Sequence, residues 1–160
     1  MKKIQIIDGL SSELRNEYSK AISIEIEDFP FDQGGFGKIY HCTSINGKET
    51  FIKQVVKVFK DNNKGSKEHN YQTTQRLQKK IILENQKSLQ LHGKSLIEIY
   101  PAFKGLPQYS FRGEIDGNQV TGFISDNLNA LGFIGFEHIL LNEKLRASYH
   151  KISTEKKILL

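Results

Sequence analysis

The stretch "FDQGGFGKIYHC", Phe31 to Cys42, sets Gly34, Gly35 and Gly37 around Phe36 at the mouth of an alternating apolar run. Glycine has no Cβ, so such a segment either turns tightly or lets bare backbone approach something bulky and charged. From Lys38 to Ser44 the alternation is that of a strand, with Ile39 and His41 on one face and Tyr40 and Cys42 on the other. Asn46-Gly47 in "INGKET" is a strong hairpin-turn signal, and "FIKQVVKVF", Phe51 to Phe59, supplies the return strand. Residues 31–59 therefore read as an antiparallel hairpin with a glycine-rich entrance.

Upstream, "KKIQII" reads as a short strand or extended arm closed by the pair Asp8-Gly9, and "SSELRNEYSKA" as a helix capped by Ser11 or Ser12. "AISIEIED" alternates Ile22, Ile24 and Ile26 against Ser23, Glu25 and Glu27, the pattern of a half-buried strand, and Pro30 ends it. Downstream, "KDNNKGSKEHN" has nothing to bury and reads as a loop. "YQTTQRLQKKIILENQKSLQLHG" predicts a helix with Leu77, Ile81, Glu84 and Leu91 on one face and Gly93 as its stop. "KSLIEIY" runs to Pro101. "QYSFRGEIDGNQVTGFIS" predicts a second hairpin turning at Asp116-Gly117, with Tyr109, Phe111, Val120 and Phe123 in its strands. "FIGFEHILLNEKLRASYH" and "STEKKILL" read as helices.

The 160 residues suit one domain, and 38% hydrophobic content with three prolines is enough for a core. A net charge of +5 fits an anionic ligand, but charge alone is a weak ground for nucleic acid. A lone Cys42 excludes an intramolecular disulfide and a cysteine-based metal site. The apolar run after Met1 stops at Asp8, too short for a secretory h-region, and no segment reaches the ~20 apolar residues of a membrane span. The expectation is a cytoplasmic protein with no membrane contact.

"GGFGKIY" followed by Lys53 in "FIK" resembles the ATP-binding small lobe of the eukaryotic-type, Ser/Thr-like protein kinases, whose pattern is G-x-G-x-x-G-x-V and then V-A-I-K. Gly34 and Gly37 match the second and third glycines, Phe36 the aromatic tip, Ile39 the valine and Ile52-Lys53 the end of V-A-I-K. Asp32 stands where the family has its first glycine, and Phe51 where it has alanine. The resemblance implies an α+β fold: a twisted antiparallel sheet of about five strands with a packed helix, an N-terminal extension and C-terminal helices. It divides the chain into an extension at 1–27 (strand, helix, strand), an ATP-binding small lobe at 28–128, and hinge-following helices at 129–160 that would open a larger lobe.

By the same resemblance ATP is the cofactor. Gly34, Gly35, Phe36 and Gly37 would cradle its phosphates, Ile39 would roof the purine, and Phe123, Ile124, Asp126 and Leu128 would line the adenine pocket and hinge. Lys53 would hold the α and β phosphates, paired with Glu84 or, as the rival, Glu68. No H-R-D or D-F-G occurs in the sequence. Phosphoryl transfer, with Mg²⁺, is therefore expected only if a C-terminal lobe completes the site, and the chain alone is expected to be inactive. The alternative is a non-catalytic interaction module, a degenerate lobe that meets a protein partner through the helix at 70–92 or through the face that the absent lobe leaves exposed; self-association is expected through exposed apolar helices at 133–160. The bland readings stand beside these. Three glycines also make an ordinary flexible turn, Lys53 also suits the solvent face of an edge strand, and Cys42 suits a core.

Overall fold

The computed structural model describes residues 1–14, 16–50, 54–63, 65–100, 103 and 106–126. Among the described residues eight strands form one antiparallel sheet: β1 (Lys2–Ser11), β2 (Ser23–Ile26), β3 (Asp32–Gln33), β4 (Gly37–Ile45), β5 (Lys48–Glu49), β6 (Val55–Phe59), β7 (Tyr109–Ile115) and β8 (Asn118–Ser125). Around the ring the order is β1-β2-β4-β6-β8-β7, and β7 pairs back onto β1. Six strands therefore close into a barrel, with β3 and β5 added as short partners of β4. The expected open, kinase-like sheet of about five strands is corrected by this closure. The residues read as an N-terminal extension are two staves of the barrel: β1 pairs with β7 and β2 with β4, so the edges of the sheet meet.

The reason lies in the side chains that these staves carry. Ile4, Ile24 and Ile26 are fully buried, against Tyr40, Phe111 and Ile124 from the other strands. Full closure also removes the unpaired strand edges that an open sheet would expose. A bulge between Ile6 and Asp8 carries β1 through the Asp8-Gly9 pair, where a turn was expected. Bare backbone is needed at Gly9, because the Tyr109 ring occupies the space that a Cβ would take. The helix expected from Ser11 or Ser12 is, among the described residues, a single 3-10 turn at Asn16–Tyr18. Ser12 is buried, and its hydroxyl donates to Gln108 Oε1 at 3.0 Å instead of capping.

Both hairpin turns fall where expected. Asn46 and Gly47 have φ of 53° and 78°, and Asp116 and Gly117 of 51° and 81°, the left-handed pair that matches the twist of the flanking strands. Helix α1 (Lys67–His92) is capped by Ser66, whose hydroxyl accepts from His69 N at 3.0 Å, and stops at Gly93 with φ 66°. A second short helix, α2 (Leu96–Ile99), opens on a capping box made by Ser95 and Glu98.

Helix α1 lies on the outer face of β7 and β8. Leu77 and Ile81 pack there with Phe59, Phe123, Leu96 and Leu106 in a second core, separate from the barrel interior. The hinge-following helices expected beyond residue 128 lie outside the described residues. Among the described residues no helix is long and apolar enough to cross a membrane.

Candidate functional site

The glycine bend links β3 to β4 at the Phe59 end of β6. Gly34 N donates to Gly37 O at 2.9 Å, Phe36 O accepts from Lys60 N at 3.1 Å, and Gly35 O accepts from Asn62 Nδ2 at 2.6 Å. The bend is thus tied to Lys60 and Asn62, just beyond β6, rather than left as a free flap. Gly34 and Gly37 do not use positive φ. Gly37 is required for a different reason: it pairs with Phe59, and a Cβ there would strike the Val58 carbonyl. At Gly34 the space is open, with nothing within 4 Å of where a Cβ would stand.

Beside this bend stands a cation that the sequence reading passed over. Lys57 pairs with Ile39 on one side and Phe123 on the other, all three on the outer face of the barrel. Its ammonium lies 5.8 Å from the centre of the Phe36 ring. The residue is half-buried; desolvation lowers its pKa, and the charge of Asp32 works weakly the other way. Among the described residues no carboxylate forms an ion pair with it. The signal was present in "VVKVF": Val56 and Val58 face the interior, so Lys57 breaks an outer face whose other members, Val55 and Phe59, are buried.

Of the residues named from sequence, Phe36, Ile39 and Phe123 lie against Lys57, and Gly34, Gly35 and Gly37 form the bend that carries Phe36. The others do not. Ile124 points into the barrel interior, the face opposite to Phe123. Asp126 follows Ser125, which pairs with Val55 at the far end of β6, and there it accepts from the Tyr18 hydroxyl at 2.8 Å. Glu84 sits against α2, in a cavity it shares with Leu96 and Tyr100, and pairs with Lys87 at 3.5 Å. Glu68 is engaged by Arg112 through two bonds of 2.7 and 2.8 Å. Lys53 and Leu128 lie outside the described residues. Gln54, the next residue after Lys53, begins at the end of β6 away from Gly37.

The arrangement at the bend can do one thing chemically: present an ammonium, desolvated by the ring and strands around it, beside exposed main chain with room at Gly34. Such a cation gains free energy from an anion more readily than a fully hydrated lysine does. Among the described residues no group of three His, Cys, Asp or Glu side chains is placed to hold a metal. Compared with protein-family models, with curated proteins and with solved structures, the chain matches none.

Proposed function

We propose that the chain binds a nucleoside triphosphate at the glycine bend, with Lys57 as the phosphate-holding cation. The observation that carries this reading is the half-buried Lys57 ammonium, without a carboxylate partner among the described residues, on the same face as Phe36 and Ile39. The motif resemblance of "GGFGKIY" to the protein kinases favours ATP, and it moves to Lys57 the role that the resemblance gave to Lys53. Ile39 and Phe123, opposite Lys57 on either side, offer an apolar flank for a base. Phosphoryl transfer is not part of the proposal for this chain by itself, since no H-R-D or D-F-G supplies a base or a magnesium ligand. A cytoplasmic setting, where ATP is plentiful and a lone thiol stays reduced, is the compartment proposed with it.

Calorimetric titration with ATP tests the reading. Lys57→Met keeps the length and the apolar stem of the side chain and removes the charge, and is expected to weaken binding about tenfold or more, since each tenfold is roughly 1.4 kcal/mol. Lys53→Met is expected to bind as the wild type does. Equal affinity of the wild type and Lys57→Met would end the proposal. The alternative, an interaction module without nucleotide, has the exposure of Leu91 (76%) and Leu83 (58%) on α1 in its favour. Self-association removed by Leu91→Lys, with no ATP binding by the wild type, would select it.

A further inference from the structure

Helix α1 turns one face to the sheet and the other to solvent, and the outer face is not an ordinary solvated one. Leu77, Ile81, Asn85 and Ser88 are buried toward the sheet. On the opposite side Lys79, Leu83, Lys87 and Leu91 follow one another at i, i+4 spacing, and all four are exposed. Leu83 and Leu91 stand about 12 Å apart along the axis at 1.5 Å per residue, and neither belongs to a core cluster.

This stripe runs into a groove. Where α1 stops at Gly93 and α2 follows, Leu91, Leu96, Ile99 and Tyr100 line a cavity of about 140 Å³. A second cavity of about 490 Å³ shares His92, Ile99 and Tyr100 with it and opens beside Lys94. The floor is apolar and the rim carries cations. The carboxylates of both helices are already engaged. Glu68 is held by Arg112, Glu84 meets Lys87 at 3.5 Å, and Glu98 accepts from Ser95 N at 3.1 Å in the capping box. At the edge of the face Glu13 accepts from Gln86 Nε2 at 3.2 Å. The helix itself carries five Lys and Arg residues against those two glutamates, so the outer face presents an excess of positive charge around two bare leucines.

We propose that this face, the stripe from Lys79 to Leu91 together with the groove between α1 and α2, docks an acidic peptide segment of a partner protein. One apolar side chain of that segment enters the groove beside Leu91 and another rests on Leu83, while its carboxylates meet Lys79, Lys87 and Lys94. A second copy of this chain fits less well, because pairing the same face with itself sets ammonium against ammonium. None of these residues belongs to the glycine bend, so the docking face stands apart from nucleotide binding.

The test uses the whole chain and three acetylated and amidated peptides of equal length. In the first, pairs of glutamates alternate with pairs of leucines. The second has lysine for every glutamate, and the third has alanine for every leucine. Backbone amide resonances of Leu83, Leu91 and Ile99 are followed by ¹H–¹⁵N NMR. The expected result is a saturable shift with the glutamate–leucine peptide, at least tenfold weaker binding of either control, and binding that weakens as salt rises from about 50 to about 300 mM. Both Lys79 and Lys94 are exposed, and Lys79→Glu combined with Lys94→Glu is expected to turn the preference toward the lysine peptide. Leu91→Gln is expected to weaken the glutamate–leucine peptide at least tenfold. Equal binding of the lysine peptide, or no saturable shift from the first peptide, would overturn the proposal. So would movement of the same amides on raising the concentration of the chain alone, which would put a second copy on this face. Movement with phosphatidylserine vesicles but not with the peptide would overturn it as well, in favour of a membrane surface.

Discussion

At Gly122 a methyl group would strike the Lys57 carbonyl on the neighbouring strand, and at Gly37 it would strike the Val58 carbonyl. Backbone cannot rotate away as a side chain can, so either change must push β6 outward. Gly122→Ala is expected to destabilise by about 1–3 kcal/mol, the cost of overpacking a closed core, read from the urea midpoint. Gly34→Ala, with open space and no positive φ, is expected to stay within about 0.5 kcal/mol of the wild type. Gly34→Ala therefore separates ligand effects from folding effects at the bend. Cys42 lies in the same interior, and burial pushes its thiol up to about 12. A neutral, buried thiol is a poor nucleophile, so Cys42 is expected to resist iodoacetamide at pH 8 in the native protein and to react fully in urea. Alternation in "KIYHC" made the inward position of Cys42 legible. The role of Gly37 was not, because the sequence shows that a Cβ is missing but not which strand crosses the gap.

Helix α1 illustrates what periodicity reads well and what it hides. Its start and stop follow from local chemistry, a serine cap and a left-handed glycine, and these act without knowledge of the rest of the chain. Its buried face is different, since Asn70, Thr74, Gln78, Asn85 and Ser88 are buried along with Leu77 and Ile81, whereas Leu91 is exposed. A polar face of this kind is stable only because the sheet answers it. Gln78 Nε2 donates to Pro107 O at 3.1 Å, and its Oε1 accepts from Ser110 N at 3.2 Å and from the Ser110 hydroxyl. Gln78→Leu leaves these groups unpaired under the helix and is expected to cost about 1–3 kcal/mol by chemical denaturation, despite the added apolar surface. At the solvent edge of the same interface, Arg112 binds Glu68 through both guanidinium nitrogens and lies 4.8 Å from the centre of the Tyr71 ring. The hydrogen bonds from Arg112 hold the Glu68 carboxyl below its ordinary range. A carboxyl lowered on folding stabilises the native state above the unfolded pKa of about 4.3, and that contribution is lost as pH falls through the folded value. Both side chains are partly in water, so the pair is worth at most about 1 kcal/mol. Arg112→Met is expected to lower the urea midpoint at pH 7 and to flatten its decline between pH 5 and about pH 3.

The whole molecule depends on a pairing that no short stretch announces. The strand that "AISIEIED" predicts is present as β2, and "QYSFRGEIDGNQVTGFIS" folds as the predicted hairpin, yet neither says that β1 will pair with β2 on one side and, far along the chain, with β7 on the other. Period-2 alternation fixes which face is apolar and leaves the partner open. That is why the same residues suited an extension attached to an open sheet. Closure gives the first 27 residues a large share of the stability. Ile4, Ile24 and Ile26 are fully buried, and each removes about 2 kcal/mol or more of apolar surface energy from water. Without them, β7 and β4 would present bare edges, and Tyr40 and Phe111 would face solvent on one side. The span 28–160 is therefore expected not to fold by itself: it should lack a cooperative thermal transition and a dispersed amide spectrum, whereas the 160-residue chain should show both. Adding back a peptide of residues 1–27 should restore part of that dispersion, since two β-strands presented to open edges recover the same ladders. A cooperative, well-dispersed 28–160 fragment would mean that the remaining strands make a self-sufficient sheet, and that β1 and β2 only decorate it.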